Sequence, residues 1–345
     1  MKALCLFHRG LGVLGPNLAF YFIAPLSRSF LVHVCFSHLA DRGEEYWHIH
    51  TMLSVYHCPD LHCHSHYSDG TLSPADLARQ AHAQGVDLWA LTDHDTLAGQ
   101  AEARASTQAL GLAWVSGVEV SAGFLGQTIH VVGLGVDVRH PGLQALLAAN
   151  RASRGPRAQA MAAGLAAQGI PNAYTGALRH AQDPARLSRT HFARYLVEIG
   201  RCRSVAEVFR HYLVPGRPGY APHQWASLSA CVEQIRAAGG VAVLAHPARY
   251  KLPALQVQLL FDTFAEHGGQ GIEVVTSAHT PTQVQQYAAV ARERGWAVSC
   301  GSDFHSPDES RYLLGALAPL PGRLQPVWDL LRERIDQSGS PAAGT

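Results

Sequence analysis

The chain is nearly free of net charge: 27 basic and 26 acidic side chains leave +1 at pH 7 over 345 residues. That balance excludes a protein that holds long nucleic acid by bulk electrostatics, since such binding grows with the number of phosphates neutralised. Short substrates, or a strand gripped at one end, remain compatible with it. None of the seven cysteines forms a Cys-x-x-Cys pair. All seven therefore read as reduced thiols of a cytoplasmic protein. No apolar run is long enough to span a membrane: residues 11–26 are interrupted by Pro16, Asn17 and Pro25. Lys2 and Arg9 precede that run as in a signal peptide, yet no small-x-small cleavage site follows. There is no internal repeat and no low-complexity tract except the Gly/Ser/Ala/Pro-rich end. With 47% hydrophobic residues the chain has enough core for one large domain plus an insertion.

Metal-type motifs begin only after residue 55. In Pro59-Asp60-Leu61-His62-Cys63-His64-Ser65-His66-Tyr67-Ser68-Asp69-Gly70, the end of a buried strand places His62 and His64 on one face, two residues apart. Asp69 follows after a short loop, and Gly70 allows backbone angles that other residues resist. Two imidazoles and a carboxylate suit a borderline divalent ion, although such a pair by itself is equally consistent with two partly buried histidines. Later apolar runs repeat the pattern. Leu88-Trp89-Ala90-Leu91 runs into Asp93-His94-Asp95, and Gly117-Val118-Glu119 is followed by Ile129-His130. Val243-Leu244-Ala245 ends in His246-Pro247, and Ser299-Cys300-Gly301 in Ser302-Asp303-Phe304-His305. Short apolar runs bounded by Gly, Pro or Asp read as strands buried on both faces. Helical spacing is found at residues 73–84, 99–110, 227–238 and 282–294. Alternating strands and helices predict an α/β fold with a parallel sheet, and polar groups gathered at one end of it predict a site there. Asp93 and Asp95 are expected to orient His94 or to cap the next helix. His66 is expected beside the site or exposed, and His57, His82, His180, His211 and His267 solvated or structural.

This ordered set resembles the PHP (polymerase and histidinol phosphatase) domain family over about residues 57–320. The resemblance implies a distorted (β/α)7 barrel whose metal site hydrolyses phosphate esters. Carried onto this sequence, it implies that His62, His64, Glu119 and Asp303 hold one ion. Glu119, His130 and His246 would hold a second, and Asp69, His94 and His305 a third. Six neutral imidazoles and three carboxylates leave two or three divalent ions net positive, which suits a phosphate dianion. Mn2+ is the first expectation and Fe2+ or Zn2+ the alternatives, because all the ligands are nitrogen or oxygen. Thr190-His191-Phe192-Ala193-Arg194-Tyr195-Leu196 and Gly216-Arg217-Pro218-Gly219-Tyr220-Ala221-Pro222 resemble one bacterial branch. That branch removes the 3′-phosphate of nucleoside 3′,5′-bisphosphates and includes the 5′→3′ exoribonuclease RNase AM. The expected substrates are therefore such a bisphosphate or short 5′-monophosphorylated RNA, with no membrane and no obligate protein partner.

The stretch 154–221 has helical spacing, many arginines and no strand-like run. It reads as a helical insertion over the barrel mouth, between barrel segments 56–153 and 222–335. An arginine can grip phosphate bidentately. By resemblance, Arg154 and His191 are the candidates for holding the phosphate that is not cleaved, with His191 also a candidate proton donor and Arg217 and Tyr220 as further substrate contacts. Residues 1–55 read as an N-terminal extension, poorly ordered or preceding an alternative start at Met52, and residues 336–345 as a flexible tail. Two other readings stand against this one. A small-metabolite phosphatase of the histidinol phosphatase type would not need the arginine-bearing insertion, and a non-catalytic scaffold should have lost ligands.

Overall fold

The computed structural model describes residues 20–26, 30–41, 44–51 and 56–337. Residues Met1–Val55 form a unit by themselves. In it β1 (Phe20–Leu26), β2 (Phe30–Asp41) and β3 (Glu44–Thr51) pair antiparallel in that order. Their aromatic and β-branched composition favours strands. The proposed start at Met52 and residues 338–345 of the tail expected from 336 lie outside the described residues, while Asp336 bridges to Trp114 and Gln337 donates to Tyr56.

Tyr56–Thr345 is a second compact unit. It opens with β4 (Pro59–Asp60), α1 (Pro74–Ala83), β5 (Leu88–Trp89), α2 (Gln100–Leu110) and β6 (Ala113–Trp114). These three short strands are parallel. A hairpin of β7 (Gly117–Phe124) and β8 (Gln127–Leu134) comes next, and then the helices α3 (Pro141–Ala166), α4 (Ala173–Ala181), α5 (Arg189–Glu198) and α6 (Val205–Val208). The chain returns through β9 (Ala226–Ser227), α7 (Leu228–Ala237), β10 (Val241–Leu244), α8 (Ala254–Glu266), β11 (Gly271–Thr276), α9 (Pro281–Arg294) and β12 (Ala297–Gly301). One sheet has the order β12-β11-β10-β8-β7-β9 and the other β4-β5-β6. Parallel bridges between Cys63 and Phe304 and between His94 and Glu119 tie the two together at both flanks.

The four helices expected from spacing form within a residue or two of their expected ends, and in all but α2 a side-chain cap says why. Ser73 Oγ accepts from Asp76 N ahead of Pro74 in α1, and Thr280 and Gln283 form a reciprocal box at the start of α9. The sheet is not wholly parallel as expected, because β8 runs antiparallel to both β7 and β10. The cause is local. Leu125 and Gly126 both have positive φ, 47° and 74°, as a two-residue type I′ turn requires, so the chain reverses without a helix. The boundary expected at residue 154 falls inside α3. That helix continues through Pro156 and packs Leu143 and Leu147 into the sheet core but Met161 and Leu165 into a separate apolar cluster with α4 and α5.

Candidate metal centre and anion cavity

Strand alternation does at β4 what the sequence pattern asks. His62 and His64 face inward with their Nε2 atoms 3.3 Å apart, while Cys63 faces the opposite core, its Sγ 3.5 Å from Ala90 O. Gly70 is needed for space rather than for its backbone angle. Its φ is not among the positive ones, and an added Cβ would lie 2.0 Å from His64 O. Gly301 is needed in the same way, since a Cβ there would lie 2.2 Å from His62 Cβ. His94 follows β5, Glu119 and His130 come from the β7–β8 hairpin, His246 follows β10, and Asp303 and His305 follow β12. His246 and Asp303 turn inward with φ of 27° and 54°, strained for side chains of their size.

Glu119 is the hub. Its carboxylate lies 2.9 Å from His94 Nδ1, His130 Nδ1 and His246 Nε2, and 3.3 Å from His62 Nε2 and His64 Nε2. Asp303 Oδ1 is 3.2 Å from His64 Nε2, and Asp69 Oδ1 is 3.4 Å from His305 Nε2. Donor atoms gather into four overlapping groups, each within 4.8 Å: His64, Asp69, His94 and His305; His62, His64 and Asp303; His62, Glu119 and His246; His94, Glu119 and His130. All nine residues singled out in the sequence are brought together. The grouping differs from the expected one in detail, with His64 leaning toward Asp69 and His94 toward Glu119.

The donors fit divalent ions. Asp69 Oδ1 and His246 Nδ1 are buried without a hydrogen bond, and a buried polar atom without a partner is costly unless something binds it. Asp303 Oδ2 is met by Arg249 Nη2 at 2.7 Å, and His94 Nδ1 and Glu119 Oε2 face each other at 2.9 Å. Burial alone would push Glu119 up, but His130, His94 and His62 hold its carboxyl well below the usual range. Burial pushes the His62 imidazole down, and Glu273, Glu119 and Asp303 more than reverse this, raising it well above its ordinary value.

Glu273 was not foreseen. Its Oε1 lies 2.6 Å from His62 Nδ1 and its Oε2 accepts from His246 N at 2.6 Å, so one buried carboxylate fixes two of the nine. The signal was available: Glu273 is the single charged residue in the buried strand β11. Asp93 and Asp95 do not orient His94. Asp93 accepts from Ser65 N and from the hydroxyls of Ser65 and Ser68, pinning the loop that carries Asp69. Asp95 accepts from Ser121 N and Asn150 Nδ2 and pairs with Arg154, joining β7 to α3.

The donors open into a cavity of about 160 Å3 whose other wall carries Arg154, Arg157, Arg189, His223, Trp225 and Arg249. Arg154 stands 5.0 Å over the Trp225 ring, its guanidinium already paired with Asp95. Arg157 donates Nε to Ala221 O at 3.0 Å, while its Nη2 is buried without a partner. Burial, with Arg189 and Arg154 beside it, pushes its pKa down to about 9. Neither Arg157 nor Arg189 has a carboxylate partner among the described residues. His191 does not line this cavity. It is buried at the start of α5, where its Nδ1 accepts from Ser188 N at 3.1 Å, and burial drives its pKa down to about 3. A ring so placed is a neutral helix cap and a poor proton donor. Arg217 is exposed and lines neither this cavity nor its neighbour, whereas Tyr220 lines the neighbouring cleft. His66 is exposed.

Known proteins resemble this chain. Residues 60–154 match the family model described as the PHP domain. Over 276 residues the chain is 44% identical to the 3′,5′-nucleoside bisphosphate phosphatase of Chromobacterium violaceum, covering 80% of this chain and 97% of that one. It is 42% identical over 273 residues to the 5′-3′ exoribonuclease Rnm of Escherichia coli, covering 79% and 92%. A solved structure of an amidohydrolase from C. violaceum, with bound sulfate and no metal, superposes with a TM-score of 0.79 at 43% identity over 82% of this chain and 99% of that one.

Proposed function

Because the chain belongs to the PHP domain family and is a hydrolase of phosphate esters, we propose that it removes the 3′-phosphate of nucleoside 3′,5′-bisphosphates such as adenosine 3′,5′-bisphosphate. The same site would trim short 5′-monophosphorylated RNA from its 5′ end. The observation that carries this reading is the meeting, in one cavity, of seven of the nine nitrogen and oxygen donor residues, with His62 and His64 grouped against them, and two arginines that lack a carboxylate partner. A substrate with two anionic groups needs both features. A simple metabolite monophosphate needs only the first, and a scaffold module needs neither.

His62, His64, Asp69, His94, Glu119, His130, His246, Asp303 and His305 would hold two or three divalent ions, with Mn2+ first and Fe2+ or Zn2+ as alternatives. When bound, such ions neutralise phosphate charge and activate water for hydrolysis. The fold follows from the same reading. The two sheets, tied at both flanks, close as a distorted (β/α)7 barrel, and the helices up to residue 221 form an insertion over its mouth. Arg157 and Arg189 face the second phosphate, with Arg154 held against Trp225 by Asp95 as the wall behind them. A guanidinium buried without a counter-charge binds phosphate strongly, because it has already left water.

Steady-state kinetics of Arg157→Ala test this. The KM for adenosine 3′,5′-bisphosphate should rise roughly 10- to 100-fold, the range expected for losing a charge-assisted contact of about 1.5–3 kcal/mol. Turnover of an aryl phosphate, which has no second anion, should stay near wild type. Equal losses on both substrates would contradict the assignment.

A further inference from the structure

The cavity at the metal centre opens into a second and larger one of about 460 Å3, and the two share Thr128, Arg189, His223 and Arg249 as a common wall. We propose that this second cleft binds the RNA strand on the 3′ side of the cleaved phosphodiester. The inference rests on the phosphoesterase reading above and goes beyond it by giving the chain beyond the first nucleotide a place.

Size makes the first argument. A space of about 160 Å3 between the donors and the arginines leaves no room for a nucleotide beyond the one they grip, whereas sites that enclose a whole small molecule run to about 300–1,000 Å3. The strand must leave through a wall that the metal centre shares, and the second cleft has that wall. Its lining makes the second argument. Lys251 is exposed and has no carboxylate partner among the described residues, and Arg189, assigned above to the second phosphate, stands on the wall that the two cavities share. Tyr220, Tyr250 and Leu252 supply flat or apolar surface between these cations. Cations that track a backbone, interleaved with aromatic faces, are the chemistry that holds single-stranded nucleic acid without sequence preference. The tyrosine hydroxyl of Tyr250 accepts from His130 N at 2.9 Å and donates to Ala245 O at 2.7 Å, so this part of the cleft is anchored to the strand that carries a metal-site histidine.

The geometry also accounts for repeated cleavage. Water adds across the P–O3′ bond: its oxygen ends on phosphorus, that bond breaks, and the ribose O3′ takes a proton. The phosphoryl group stays on the 5′ oxygen of the next nucleoside. Each cut therefore releases a nucleoside 5′-monophosphate and leaves a shortened strand that again begins with a 5′-phosphate. For the next cut the strand advances from the large cleft into the small cavity.

The test is the KM of Lys251→Ala and Lys251→Arg on two substrates, adenosine 3′,5′-bisphosphate and a 5′-phosphorylated tetraribonucleotide. Lys251→Ala should raise the KM for the tetranucleotide about 5- to 10-fold and make its salt dependence shallower by close to one phosphate contact. The bisphosphate KM should change less than about twofold, because that substrate ends at the cleaved phosphate, and Lys251→Arg should restore the tetranucleotide KM. An equal rise on both substrates, or no rise on the tetranucleotide, would overturn the cleft assignment. A wild-type enzyme that turns over the bisphosphate and leaves the tetranucleotide intact would overturn it while the phosphatase reading stands. Inactivity on both substrates would overturn that reading itself.

Discussion

Burial keeps the His191 ring neutral with a pKa near 3, against about 6.5 for an unfolded histidine. The folded value is depressed, so below about pH 6.5 the unfolded chain takes up a proton that the folded chain refuses. Stability is therefore lost as pH falls from about 6.5 toward 3, at up to about 1.4 kcal/mol per unit. His191→Gln keeps an acceptor for Ser188 N and removes the titration. Denaturant melts of both proteins between pH 7 and 4 should show the variant losing less stability on acidification. Parallel curves would show that His191 titrates freely. This residue also marks where the sequence could and could not be read. Most of the nine donors were legible because a metal-capable side chain stands in or just after an apolar run, a pattern that packing alone does not generate, and the family resemblance added Asp69, which sits on a polar loop. His191 looked similar by motif, and only the fold reveals that its ring is turned onto the helix start. Arg157 and Arg189 were lost among the ten arginines of residues 154–221, since nothing local distinguishes a guanidinium with a carboxylate partner from one without.

The β7–β8 hairpin brings Glu119 and His130 to within 2.9 Å of each other, and its turn carries an avoidable cost. Leu125 sits at φ 47° and is 54% exposed, so its side chain pays little of the strain back in burial. Leu125→Asn creates the Asn-Gly pair that a type I′ turn prefers and should stabilise the protein by roughly 1 kcal/mol. Thermal unfolding should rise by a few degrees with activity unchanged, and a lower melting temperature would show that Leu125 packs more than its exposure implies. Three of the four helices were readable to within a residue or two because Ser, Thr or Pro at their starts leaves a local signature, whereas α2 begins after Gly99 with no side-chain cap. The reversal at β8 was not, because the turn lacks the usual Asn or Asp and the strands on either side are apolar like the rest. The continuity of α3 was hidden in the same way, by Pro156 and by an apolar stripe that serves two cores in succession.

At the scale of the whole described unit, chemistry is divided between two walls of one cavity. The sheet ends supply the nitrogen and oxygen donors, and α3 and α5 supply Arg157 and Arg189, which have no carboxylate partner among the described residues. Among the described residues no helix is long and apolar enough to cross a membrane. The central claim is that the nine donors hold the ions on which phosphate-ester hydrolysis depends. Its most direct measurement is phosphate release from adenosine 3′,5′-bisphosphate by chelator-stripped protein, before and after Mn2+ is returned, with metal content read in parallel and Asp303→Ala as control. The account predicts that stripped protein is at least about 100-fold slower, in keeping with metal-assisted hydrolysis. Activity should return as two or three ions bind per chain, and Asp303→Ala should bind fewer ions and stay slow. Full turnover by stripped protein, or ions bound with no gain in rate, would contradict it.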